Sequence, residues 1–173
     1  PRNLKAEAQE ADVIFTDKPA LTLYMRFADC VPLLFHDPKR GVVGMAHAGW
    51  QGTVHNVASA AIQAMQTRYA CKPENIQAAI GPSIGQDHYD VGQDVMTQIQ
   101  QSFGDETQRL VKTKNGRTHL DLWLANQIQL EQAGVEQIEV ARVCTACHIE
   151  DWFSHRAEKG KTGRFGALIS LQA

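Results

Sequence analysis

The chain has 173 residues, of which 43% are hydrophobic and 21% are charged. These values are ordinary for a folded globular protein and too apolar for a disordered one, so we expect a single domain over 1–173. A net charge of −2 argues against a strongly basic nucleic-acid binder. No apolar run approaches the ~18–20 residues that a membrane-spanning helix needs.

Four cysteines, at positions 30, 71, 144 and 147, are too few for a secreted domain held together by disulfides. Free thiols in a reducing compartment are the simpler interpretation. The sequence therefore predicts a cytoplasmic protein that contacts neither nucleic acid nor membrane.

Strand-like segments fill most of the first third of the chain and recur later in it. Short apolar or alternating runs predict strands at 11–16, 21–27, 31–35, 42–46, 76–80, 138–143 and 167–171. The segment 37–41 has the composition of a turn, so the strands on either side of it are expected to be antiparallel neighbours.

Three segments have the spacing of amphipathic helices. Apolar residues recur with helical period over 54–69, and Thr53 is a plausible N-cap for that helix. A second helix is marked by apolar positions over 91–103. A third begins at Asp121 as its cap and ends at Gly134. Strands followed by mixed elements, without regular alternation, predict an α+β fold.

Cys30 and His47 each lie at the end of a predicted strand. Two strands and a turn separate them, which would bring both to the same end of a hairpin. A thiol and an imidazole at one sheet end can form a nucleophile pair, or two of the three protein ligands of a catalytic zinc. A buried cysteine beside a hydrogen-bonded core histidine has the same spacing, so the pattern leaves these alternatives open.

Two glycine-rich loops precede predicted helices. The segment 49–53 leads into a helix N-terminus, where free backbone N–H groups suit a phosphate or carboxylate, although an ordinary turn has the same pattern. The loop 81–92 contains Tyr89, which could stack on a ring, donate a hydrogen bond or simply pack. Arg156 and Arg164 suit oxyanion binding, with solvated surface charge as the alternative.

The run Cys144-Thr145-Ala146-Cys147-His148 contains a CxxC spacing. A redox motif would begin a helix after a strand, a zinc knuckle would need a second pair, and haem attachment would need export. None of these contexts is evident in the sequence, so the interpretation is coincidence.

Taken together, these segments resemble the laccase-domain family, also called the multicopper polyphenol oxidase-like or purine nucleoside phosphorylase family. The matching motifs are Ala28-Asp29-Cys30-Val31-Pro32, His47-Ala48-Gly49-Trp50-Gln51-Gly52, Gly81-Pro82-Ser83-Ile84-Gly85, Tyr89-Asp90-Val91-Gly92, Asp121-Leu122-Trp123 with Asn126, Cys144-Thr145, Phe153-Ser154 and Thr162-Gly163-Arg164. They span nearly the whole chain in the order that the family has them.

The resemblance implies a single α+β sandwich of mixed sheets flanked by helices, similar in layout to the catalytic domain of a deamidating bacterial toxin. It also implies a metal, zinc or alternatively copper, bound by one cysteine and two histidines, of which Cys30 and His47 are two. The remaining histidine belongs to a Gln-Val-His-Gly motif that nothing in this chain matches. We therefore expect that the chain lacks an N-terminal portion of the domain.

The activity that the resemblance implies is phosphorolysis of adenosine, inosine and methylthioadenosine, with adenosine deamination as a second reaction. Nucleoside and phosphate are then the small-molecule partners, and Cys30 and His47 are the catalytic pair. The positions expected to bind substrate or phosphate are Gly49, Trp50, Gly52, Ser83, Tyr89, Arg156 and Arg164. Gln51 stands where the family commonly has arginine, and His155-Arg156-Ala157 where it has a Tyr-Arg-Arg-like run, so Arg164 is the stronger anion-binding candidate.

Three alternatives remain. A copper-dependent polyphenol oxidase matches the family's older name, but a laccase needs several copper centres, and seven scattered histidines without His-x-His pairs supply few ligands. A cysteine hydrolase or deamidase would use Cys30 and His47 without metal. A non-catalytic metal-binding module would bind an ion and turn over no nucleoside.

Overall fold

A computed structural model describes residues 11–172 of the chain; residues 1–10 and 173, which the predicted domain includes, lie outside the described part. Its centre is a five-stranded sheet in the order β1-β4-β3-β5-β9. Its strands are β1 (Val13–Thr16), β3 (Val31–Asp37), β4 (Val42–Ala48), β5 (Gln77–Ile80) and β9 (Gln137–Val140). All neighbours are antiparallel except β5 and β9, which are parallel.

Both faces of this sheet are covered near β4, because alternate residues of a strand point to opposite sides. A two-stranded antiparallel sheet of β2 (Leu23–Phe27) and β10 (Phe165–Ile169) packs on one side, where Leu23 and Phe27 join Val43 and Met45 in one apolar cluster. In β2 the burial alternates with the sequence, and Tyr24 and Arg26 are exposed.

The helices cover the other face. They are α1 (Trp50–Val54), α2 (Val57–Tyr69), α3 (Gln93–Phe103), α4 (Thr107–Leu110) and α5 (Leu122–Gln132). The main apolar core lies between α2, α5 and the sheet, and it includes Ile62, Met65 and Leu130. Within residues 11–172, no helix combines the length and apolar character needed to cross a membrane.

A third, small sheet lies in the order β6-β8-β7, from β6 (Asp90–Val91), β8 (Arg117–Leu120) and β7 (Val111–Lys114). The turn between β7 and β8 is Asn115-Gly116, and both residues have positive φ, as a tight two-residue hairpin turn requires. The sequence analysis did not predict this hairpin.

The α+β prediction is confirmed, and each predicted strand and helix has a counterpart. Asp121 caps α5 by accepting a hydrogen bond from the backbone N–H of Leu124 at 3.0 Å. The prediction of Thr53 as an N-cap is wrong. Thr53 lies inside the one-turn helix α1 and donates its hydroxyl to the carbonyl of Gly49. A left-handed Asn56 then separates α1 from α2.

Candidate active site

The β3–β4 hairpin brings Cys30 and His47 together. In its register Val31 faces Ala48 and Pro32 faces His47, so Cys30, which precedes β3, lies at the same sheet end as His47. The Cys30 Sγ lies 3.1 Å and the His47 Cε1 4.0 Å from the position that a Cβ on Gly49 would occupy. The hairpin predicted from the sequence is confirmed, and both side chains are half-buried.

Asp12, the residue before β1, lies beside the His47 ring. Its Oδ1 is 3.4 Å from His47 Nδ1, and its carbonyl accepts the His47 backbone N–H at 2.8 Å. The ring of Phe27 lies 5.5 Å from the imidazole, centre to centre. A carboxylate at one ring nitrogen leaves the other nitrogen for a metal or a proton, which is the usual arrangement around a ligating histidine.

Asp29, the residue before Cys30, forms hydrogen bonds with three other loops. This buried carboxylate accepts the Thr145 hydroxyl at 2.7 Å and the Arg156 backbone N–H at 2.6 Å. Its own backbone carbonyl accepts the N–H of Ile84. Asp29 has φ of 81°, a conformation that aspartate and asparagine tolerate better than most residues. The loops that surround Cys30 are therefore organised by one buried charge.

Burial raises the pKa of the Cys30 thiol, and the negative charge of Asp29 raises it further. The positive charge of Arg164 acts in the opposite direction. The Arg164 guanidinium donates to the carbonyls of Thr162 and Gly163. It has no carboxylate within 4 Å among residues 11–172, so its charge is available to an anion.

Tyr89 and Arg156 form a second part of the site. The guanidinium carbon of Arg156 lies 5.1 Å from the centre of the Tyr89 ring. One Arg156 nitrogen donates to both the carboxylate and the carbonyl of Asp90. Arg156 is thus partly neutralised before any ligand binds. Burial raises the pKa of Tyr89 to about 12, with the nearby Cys30 adding to the shift, so its hydroxyl is a neutral hydrogen-bond donor at physiological pH.

Ser83, predicted from the resemblance to bind substrate or phosphate, lies beside Gly81 and Trp123. Its side chain is fully buried, donates to the carbonyl of Gly81 and accepts the indole N–H of Trp123 at 2.6 Å. Both its donor and one of its acceptor positions are thus used within the protein. Gly52 lies inside α1, where an added Cβ would stand 3.1 Å from the carbonyl of His47. The neighbouring Trp50 packs against the main core.

Asp12 was not predicted as the partner of His47, and no role of its own was predicted for Asp29. Neither could be found from local pattern, because their partners come from other strands and distant loops. His88, which lies beside the cysteines of the CxxC run, was not predicted either. A groove of about 640 Å³ on the sheet, lined in part by Leu34, His36 and Ile138, contains none of the predicted site residues.

Gly49 is the residue whose replacement tests the geometry most simply. Its φ of −71° suits any residue, so Gly49→Ala adds no backbone strain, but the new methyl group presses on the Cys30 sulfur. We expect activity to fall about tenfold or more, since displacements of ~1 Å at a reacting group cost about 10²-fold. Stability should change by less than about 1 kcal/mol, because the lower entropy of alanine in the unfolded chain offsets much of the crowding.

Gly41→Ala is the matched control for this variant. Gly41 has φ of +62° and open space around its Cα. Alanine there strains the backbone, but at a position that is remote from Cys30 and His47 in the hairpin. It should lower stability by about 1 kcal/mol and leave turnover unchanged. Steady-state kinetics and urea unfolding of both variants separate the two effects, and equal turnover in Gly49→Ala and the parent would contradict the geometry.

Arg164 gives a pH-dependent prediction. Removing its positive charge destabilises the Cys30 thiolate, so in metal-free protein Arg164→Gln should move the pH profile of Cys30 alkylation to higher pH. Arg164→Lys keeps the charge and should keep the profile near that of the parent. Alkylation with iodoacetamide, followed residue by residue in a mass spectrometer, measures both. A profile in Arg164→Gln that coincides with the parent's would show that this charge does not reach Cys30.

The fold and the paired thiol and imidazole define an α+β domain with a nucleophile or metal-ligand pair at a hairpin end. The chain belongs to the family described as multi-copper polyphenol oxidoreductase laccase, whose model matches residues 2–172. The family predicted from the sequence motifs is thereby confirmed.

Three comparisons place the chain within this family. It is 41% identical to a purine nucleoside phosphorylase of Deinococcus radiodurans, over 94% of this chain and 62% of that protein. It is 33% identical to adenosine deaminase RL5 of an unknown prokaryotic organism, over 94% of this chain and 65% of that protein. The crystal structure of the hypothetical protein YfiH of Bacillus licheniformis matches with a TM-score of 0.89 at 40% identity, over 93% of this chain and 61% of that one. The chain thus spans less than two thirds of the length of these relatives.

Proposed function

We propose that this chain carries the thiol–imidazole half of a metal-dependent purine nucleoside phosphorylase centre, with adenosine deamination as a second activity. The observation that carries the proposal is the convergence of Cys30 and His47 on Gly49, with Asp12 behind the imidazole. The names of the relatives, purine nucleoside phosphorylase and adenosine deaminase, support the reaction class.

The side chains present fit a metal in part. Cys30 offers a thiolate, and His47 offers its Nε2 because Nδ1 faces Asp12. A cysteine and a histidine suit zinc or copper, and we propose zinc. Such an ion, when bound, supplies a Lewis acid that polarises the group it contacts. The resemblance implies one further histidine, which we propose completes the set of ligands.

The residues around this pair can position both substrates. In phosphorolysis a phosphate oxygen bonds to C1′ of the ribose, the C1′–N9 bond breaks, and the purine leaves with a proton. We assign Arg164 to the phosphate, since its charge is unpaired by carboxylates in residues 11–172. The single-turn helix α1 has too few aligned peptides for a strong dipole, so the 49–53 segment ranks below Arg164 for this role.

Tyr89 is proposed to contact the purine. Its hydroxyl stays neutral and can donate a hydrogen bond, and Arg156 stacked on one face fixes the ring. In deamination the oxygen of a water bonds to C6 of adenosine, and the amino group leaves as ammonia. We expect Tyr89 and Arg156 to serve both reactions by holding the base in one position.

The proposal is tested by product analysis of the full-length protein. With inosine and phosphate we expect ribose 1-phosphate and hypoxanthine in equal amounts, and with adenosine we expect inosine even when phosphate is omitted. Hypoxanthine release that does not depend on phosphate would contradict phosphorolysis. If no nucleoside is turned over while metal is bound, the domain is a metal-binding module instead.

Copper-dependent polyphenol oxidation is the second candidate, because the matching family model carries that description. It requires dye oxidation that rises with added copper and disappears in copper-free preparations. A metal-free cysteine hydrolase, with the toxin-like layout predicted from the sequence, is the third. Loss of turnover on alkylation of Cys30, with no loss on adding a chelator, would favour it. Cytoplasmic location remains a prediction, which the four free thiols support.

A further inference from the structure

The CxxC run, interpreted above as coincidence, lies against a histidine in the folded chain. His88 Nδ1 is 3.7 Å from Cys144 Sγ and 3.6 Å from Cys147 Sγ. All three ligand atoms lie within 4.8 Å of one another. The interpretation from sequence failed because His88 is 56 residues before Cys144, in a loop that only the fold brings close.

These distances match those around zinc. With Zn–N bonds of about 2.0–2.1 Å, Zn–S bonds of about 2.3 Å and tetrahedral angles, nitrogen and sulfur ligands are separated by about 3.6 Å. One imidazole and two cysteines with two residues between them are a frequent zinc-binding set. Copper(I) would also accept these ligands, but two cysteines and one histidine with an open fourth position are a known zinc set.

The backbone holds the two loops in place around the cluster. Cys144 pairs with Ser83 in an isolated parallel bridge, and Thr145 donates its N–H to the carbonyl of Ser83. The N–H of Cys147 reaches the carbonyl of Cys144 at 3.1 Å, which closes the turn between the two cysteines. His88 is the last residue of the short 3-10 turn Gln86–His88. Its backbone N–H donates to the carbonyl of Gly85, which fixes the turn. The ligands are therefore pre-arranged.

The surroundings of Cys144 suit a thiolate. The backbone N–H of Gly85 donates to the Cys144 sulfur at 3.1 Å, and a side chain at Gly85 would press on that sulfur. Cys144 is buried, whereas Cys147 and His88 are exposed. One side of the cluster therefore opens to solvent, which gives a metal an entry path and leaves room for a fourth ligand.

We propose that His88, Cys144 and Cys147 form a second metal site that binds zinc through three protein ligands and one exchangeable solvent ligand. The site is separate from Cys30 and His47 and does not depend on the nucleoside proposal. Its effect is to join the 81–92 loop, which carries Tyr89, to the 144–148 loop, whose Thr145 holds Asp29. The ion thus fixes the framework of the neighbouring site rather than taking part in its chemistry.

The test uses the full-length protein with Cys30→Ser and His47→Ala, so that the first site contributes no metal. Purified in reductant, supplied with zinc and freed of excess, this background should retain one zinc per chain. Adding Cys147→Ser or His88→Ala should weaken zinc binding at least about tenfold, since even outer-shell partners contribute 10–100-fold. Cobalt in place of zinc should show thiolate-to-metal absorption that disappears in Cys147→Ser.

His148→Ala is the matched control, because His148 adjoins Cys147 but pairs with Glu150 outside the cluster. It should keep the zinc, and loss there would overturn the three-residue set. Because Cys147 and His88 are exposed, these variants should fold, which near-UV circular dichroism checks. Three results would overturn the site. They are unchanged zinc affinity in Cys147→Ser, absence of zinc from the folded background protein, and a Cys144–Cys147 disulfide that persists in reductant.

Discussion

Cys30→Ala and His47→Ala should each lower phosphorolysis by about 10³-fold or more in the full-length protein. Each change removes a group that lies within reach of the same point beside Gly49. Groups that bind or act as a unit contribute non-additively, so the double variant should be nearly as slow as either single one. The measurement is the initial rate of ribose 1-phosphate formation from inosine at saturating phosphate.

Two further variants make this prediction specific. Asp12→Asn keeps the shape of the residue that orients His47 and should cost about 10–100-fold, as for other outer-shell carboxylates. Cys71→Ala removes a buried thiol that lies beside Asp37 and not beside Cys30 or His47. It should leave the rate of phosphorolysis unchanged. If Cys30→Ala and His47→Ala both keep the parent's rate of phosphorolysis, as Cys71→Ala is expected to, the pair has no catalytic role.

Asp29→Asn should destabilise the fold by about 2–3 kcal/mol. The Asp29 carboxylate accepts two hydrogen bonds, and those to charged groups contribute about 1.5–3 kcal/mol each. An asparagine can still accept the Arg156 N–H with its oxygen and donate its NH₂ to the Thr145 hydroxyl, so what it loses is the negative charge that strengthens both hydrogen bonds. Because asparagine tolerates positive φ, the loss reports the hydrogen bonds rather than the backbone.

Urea unfolding measures this loss, with Asp17→Asn at an exposed position as the control. Thr145→Val completes a double-mutant cycle with Asp29→Ala, which cannot hydrogen-bond Thr145 and whose backbone strain enters both arms of the cycle and cancels. We expect a coupling free energy of about 1–2 kcal/mol between the two positions, since they share one buried hydrogen bond. A coupling near zero would mean that Asp29 does not hold the 144–148 loop.

The parts of the site that the sequence revealed are those set by local pattern. Two apolar runs around the turn at 37–41 were enough to predict the β3–β4 hairpin, and with it the approach of Cys30 to His47. Capping of α5 by Asp121 followed from the same kind of signal. Asn115-Gly116 was an equally strong hairpin signal that the sequence analysis did not use.

The parts that escaped depend on contacts between distant segments. Asp12 reaches His47 only because Val13 pairs with Ala46 in the register of β1 and β4. Asp29 meets Thr145 across 116 residues of chain. Such pairings are set by the packing of whole elements, so no spacing within one segment could predict them. The helix predicted over 54–69 is interrupted for a local reason: Asn56 has a left-handed backbone conformation, which separates α1 from α2.

Anomalous diffraction at the zinc absorption edge, from crystals of the full-length protein grown with zinc, tests the central claim most directly. The account predicts a strong peak in contact with the Cys30 sulfur and the His47 imidazole. Zinc absent from that position in protein that still converts inosine and phosphate to ribose 1-phosphate would contradict it.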